Sequence, residues 1–97
     1  MLRPYIFCFN EKVGTLKDVA DFLDTKSEIL NWYSCMPQTI FFVSAKSLTQ
    51  LMIIFQAKYV TGNYFFSTID AHTCNGLLPK EAWDFITEPK SSGKWPV

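Results

Sequence analysis

Two amphipathic segments opened by capping boxes at Thr15 and Ser47, each flanked by short aromatic runs, together with two strand-like runs joined at Pro37, predict an α+β fold. The element order is strand, helix, strand, strand, helix, strand, helix, which divides into two strand-helix-strand halves. With right-handed crossovers, such halves share one four-stranded antiparallel sheet with both helices on one face. This is the ferredoxin-like βαββαβ arrangement, here with a short helix added after the last strand.

Residues 5–10 (YIFCFN) form an apolar, aromatic-rich run closed by Asn10, Glu11, Lys12 and Gly14, the pattern of a strand buried on both faces. Thr15 then caps a helix, with Asp18 three positions on and Leu16, Val19, Ala20 and Leu23 at helical spacing. Residues 24–27 are polar and end that helix or fray it. Residues 30–35 suit a strand, Pro37 stops it, and residues 39–43 (TIFFV) are a second β-branched and aromatic run, so the two read as an antiparallel hairpin. The competing reading continues the first helix through residues 27–33 and deletes one strand. Ser47 opens the second helix with Gln50 completing the capping box and Leu48, Leu51, Met52, Phe55 and Tyr59 along one face. Residues 61–63 break it, residues 64–70 (YFFSTID) read as the last strand, and Asn75-Gly76 marks a turn. Pro79 suits a helix start, with Glu81 in the first turn and Trp83, Phe85 and Ile86 following, so a short third helix is predicted.

At 97 residues the chain is predicted to be one domain over 1–88 with a tail over 89–97. Nine basic residues balance nine acidic ones without any run of like charge, which argues against a phosphate-backbone binder. Cys8, Cys35 and Cys74 are odd in number and widely spaced, poor material for a disulfide framework and suited to a reducing, cytoplasmic setting. The first apolar run is too short for a secretory core, and no stretch approaches the about 18 apolar residues of a membrane span, so no membrane partner is expected.

The aromatic load raises a functional question. Buried aromatic side chains occupy about 150–250 Å² each, and a thin two-layer domain lacks room for all of them. Both faces of the central strands are apolar: Tyr5, Phe7 and Phe9 alternate with Ile6 and Cys8, and Ile40 and Phe42 alternate with Phe41 and Val43. One set must line the face without helices, and such a patch is larger than soluble monomers tolerate. Three covers are open: a second copy of the chain, the chain's own C-terminal helix with Trp83 and Phe85, or single-stranded RNA stacked on the aromatics. RNA is disfavoured, because TIFFVSA lacks the basic and glycine positions of an RNA-stacking strand. The candidate interface residues are Tyr5, Phe7, Phe9, Trp32, Phe41, Val43, Tyr64 and Phe66.

Little in the sequence carries chemistry. His72 and Cys74 could supply two metal ligands, but a structural zinc site needs four, and a surface loop accounts for both. Asp18, Asp21 and Asp24 lie opposite the apolar stripe of the first helix, as a solvated face does. Cys8 and Cys35 fall within strands and are expected as buried small hydrophobes. No phosphate loop, dinucleotide fingerprint or nucleophile elbow is present, so no metal or cofactor is expected.

The first strand YIFCFN, the aromatic hairpin NWYSCMPQTIFFVS and the later segment NGLLPKEAWDFI give the chain a resemblance to small VapD-like and SinR-like proteins, related in fold to the CRISPR-associated adaptation nucleases. The resemblance implies a ferredoxin-like homodimer of phage or mobile-element origin, in some members a metal-dependent ribonuclease with an acidic residue at the end of the first strand. Here that position is Asn10, with Glu11 beside it. Asn is no general base and a weak ligand for a hard cation. The reading that follows is a non-enzymatic, homodimeric protein-interaction module. The alternative is a ribonuclease or RNA binder using Asn10, Glu11 and Asp70.

Overall fold

Seven elements follow one another in this computed structural model, which describes residues 1–95: β1 (Arg3–Phe9), α1 (Leu16–Asp24), β2 (Asn31–Met36), β3 (Thr39–Ser44), α2 (Leu48–Lys58), β4 (Tyr64–Thr68) and α3 (Lys80–Thr87). The four strands form one antiparallel sheet in the order β2-β3-β1-β4. Both capping boxes are made. Thr15 accepts from the Asp18 amide at 3.1 Å and donates its own to the Asp18 carboxylate at 2.9 Å, and Ser47 and Gln50 repeat the exchange at 3.2 and 2.9 Å. The bonds from Thr15 hold the Asp18 carboxyl below the usual aspartate range, the backbone bond contributing most.

The first helix stops at Asp24, because the Thr25 amide and hydroxyl both turn back to the Phe22 carbonyl, the hydroxyl at 2.7 Å. Residues 31–36 are thereby free to be strand, which removes the reading in which the helix continued to residue 33. Met36 pairs with Thr39 around Pro37 and Gln38. Proline presets the first turn position and Gln38, at φ 53°, takes the positive φ that the second position of a type II turn requires.

Pleating divides the sheet residues between two unequal layers. Tyr5, Phe7, Phe9, Ile40 and Phe42 face α1 and α2, where Val19, Ala20, Leu23, Leu51 and Phe55 complete the main core. Its centre is a ring stack. Tyr5 lies parallel to Phe42 with centroids 4.9 Å apart, and Phe7 sits 4.8 Å from Phe55 and 5.5 Å from Tyr64. The Tyr5 hydroxyl donates to the Lys46 carbonyl, so even this fully buried phenol is satisfied. On the opposite face α3 lays Ala82 and Ile86 over Phe41, with Ile6, Tyr33, Cys35, Trp83 and Phe85 around them.

This partition corrects the placement of the interface candidates. Tyr5, Phe7, Phe9, Trp32, Tyr64 and Phe66 belong to the helix-covered layer. Phe41 and Val43 are on the other face but are 3% and 0% exposed. Cys8 and Cys35 are half-buried rather than buried, and all three cysteines are free. The C-terminal segment is held across the start of β2, where the Ser92 amide donates to Leu30 at 2.8 Å and Asn31 Nδ2 donates to Lys90 at 3.2 Å. Positions 96 and 97 of the expected tail lie outside the described residues. Among the described residues, no helix is long and apolar enough to cross a membrane.

Candidate interaction surface

The two edges of the sheet are β2 and β4. Along β4, Ile69 donates its amide to Pro4 at 2.9 Å and Asn63 is bonded to Asn10 at 3.0 Å. Bonding direction alternates along an antiparallel strand, so Phe65 and Ser67 also turn their backbone groups toward β1. Tyr64, Phe66 and Thr68 consequently direct theirs away from the sheet. Between Asn63 and Ile69 this edge carries no charged residue, proline or bulge, the devices by which sheet edges usually discourage another strand.

Apolar side chains flank the bare edge. Phe65 pairs with Cys8 on the α3 face of the sheet and is 65% exposed. On the helix side, α2 presents Leu48, Met52 and Ile53 to solvent, and the Met52 sulfur accepts from the Tyr64 hydroxyl at 3.8 Å. The strand start is clamped by Asn10 Oδ1, which accepts from the Asn63 amide at 3.1 Å. Gly62 makes that approach possible, since at φ 85° a Cβ would stand 2.8 Å from the Val13 amide nitrogen and 3.0 Å from Asn10 Oδ1.

Beside Phe65, between the sheet and α3, lies a groove of about 490 Å³. Ile6, Phe41 and Ile86 lie along its length with Trp83, Leu78 and Ile69, and Ser67 and Thr68 of β4 contribute to its lining. Asp70, Thr73, Cys74 and Asn75 add the polar lining, and Leu77 projects fully into solvent. Its volume is in the range of small-ligand sites, and its lining suits an apolar group. No family model matches the chain, and no curated protein or solved structure is significantly similar to it.

The catalytic candidates do not converge. Asn10 and Glu11 follow β1 at one end of the sheet, whereas Asp70 follows the Ile69 to Pro4 bond at the other, about 20 Å away along the strand. Asn10 Oδ1 is occupied by the Asn63 amide, and Asp70 Oδ1 accepts from the His72 amide at 2.9 Å. Among the described residues, no three His, Cys, Asp or Glu side chains cluster as metal ligands. The acidic positions of α1 have separate tasks: Asp18 caps, Asp21 pairs with Lys17 at 2.7 Å, and Asp24 accepts from Trp32 Nε1 at 2.8 Å. Burial, with the negative charge of Asp18 adding to it, pushes the Tyr59 phenol up to about 12. That phenol is a structural group of the α2 layer.

Phe65, Ser67 and Met52 were not among the expected interface residues. The signal for Phe65 and Ser67 is the run YFFST, an uncharged strand that becomes an edge once the strand order is known.

Proposed function

We propose that this chain is a non-catalytic protein-interaction module of ferredoxin-like fold that works as a homodimer. The fold assignment is supported by the element order together with the strand order β2-β3-β1-β4. The observation that carries the function is the bare, uncharged β4 edge beside the exposed Phe65. Strand addition at such an edge supplies main-chain hydrogen bonds, while neighbouring side chains select the partner. The separation of Asn10 and Glu11 from Asp70 favours this reading over a ribonuclease.

Sedimentation or light scattering at micromolar concentration tests it. The expected mass is twice the 11.2 kDa of the chain, with no cleavage of single-stranded RNA in Mg²⁺ or Mn²⁺. A strict monomer under these conditions would refute the homodimer.

A further inference from the structure

We infer that two copies of this chain pair β4 against β4 about a twofold axis through Phe66, so that Phe65 of each copy enters the mouth of the groove beside Trp83 of the other. The inference rests on the homodimeric reading and assigns to it a register and a contact residue. Five symmetric antiparallel registers oppose outward backbone groups of β4, centred on positions 64 to 68 in turn. Only the one centred on Phe66 pairs all three outward residues, Phe66 with its own symmetry mate and Tyr64 with Thr68 of the partner subunit, for up to about six backbone hydrogen bonds.

That register has a consequence on the α3 face. Phe65 stands directly opposite Ser67 of the partner subunit, on the same side of the joined sheet, and Ser67 contributes to the groove lining. The side chain left 65% exposed in one copy is thus carried to an apolar groove in the next, and the reverse holds by symmetry. A twofold contact brings each residue near its axis close to its own symmetry mate, so an ionised side chain there would lie near a like charge. Tyr64–Thr68 carries none at neutral pH.

The test combines mass with disulfide trapping. Phe65→Cys and Ser67→Cys are made as single variants in a Cys8→Ser background, because Cys8 lies opposite position 65 in the same chain, and are oxidised separately and as a mixture, with peptide mapping separating the new linkages from those of the native cysteines. Residues opposed at a non-bonded antiparallel position have Cα atoms about 4.5 Å apart, within disulfide range. The expected result is a 65–67 linkage that forms in the mixture and in neither variant alone, with Phe65→Glu weakening wild-type-like self-association roughly 30-fold or more. A 65–65 or 67–67 linkage, or a dimer that Phe65→Glu leaves intact, overturns the register and contact while the homodimer stands. A wild-type monomer overturns the homodimer itself and leaves the groove to a different ligand. Circular dichroism of each variant establishes that the fold persists.

Discussion

The two edges of the sheet are built on opposite principles. β2 is guarded: its register shifts between Tyr33 and Met36, Ser34 bonds the carbonyls of Thr39 and Met36, and the C-terminal segment crosses its start through Ser92 and Lys90. Its large aromatic, Trp32, turns inward and donates to Asp24. β4 has no such cover, and its Phe65 points outward. A chain that protects one edge by several independent devices and leaves the other flat and apolar has separated the two tasks of a sheet edge, avoiding strands and accepting them.

The difference can be broken from either side. The largest effect is expected from Trp32→Ala, which removes core contacts and the indole bond to Asp24; urea unfolding is expected to show a loss of about 3 kcal/mol. Ending the chain after Glu88 removes the bonds from Ser92 and Lys90, a loss of about 2 kcal/mol, and bares the start of β2. Light scattering is then expected to reveal species larger than a dimer. Gln38→Gly relieves the positive φ beside β2 and is expected to raise the urea midpoint, by about 0.5–1 kcal/mol in stability. Phe65→Ser is expected to change monomer stability by less than about 0.5 kcal/mol, because an exposed ring contributes little to its own fold. A large destabilisation by Phe65→Ser, or none by Trp32→Ala, would erase the distinction between the edges.

The elements were legible because each has local chemistry. Thr15 with Asp18 and Ser47 with Gln50 announce their helices, and Pro37 between two β-branched runs announces a hairpin. Which alternating set faces the helices was not legible. Tyr5, Phe7 and Phe9 are as apolar as Ile6 and Cys8, so a period of two divides the residues without saying which group goes in. The decision lies in packing: α2 brings Phe55 to the sheet, where Phe7, Phe42 and Phe66 pack around it, and Phe22 of α1 backs it from the helix side. The side taken by α3 was one of three covers that the sequence left open for the face away from α1 and α2, and α3 takes it. Ala82 and Ile86 pack there on Phe41, with Ile6, Tyr33 and Cys35 around them. Much of the aromatic surplus that suggested a broad open face is spent inside the main core, leaving Phe65 as the large ring exposed at an edge.

The central position of β1 also bears on how the chain is made. β1 pairs with β3 on one side and β4 on the other, while β2 and β3 need only each other and a two-residue turn. On a ribosome the strand emerging first therefore waits for its neighbours, the last of which ends at Thr68. The hairpin is the piece that can assemble locally, and closing the sheet around β1 requires long-range contacts that form slowly. Until then Tyr5, Phe7 and Phe9 lack the partners that bury them, so the apolar surface hidden in the finished protein is open in the unfinished one.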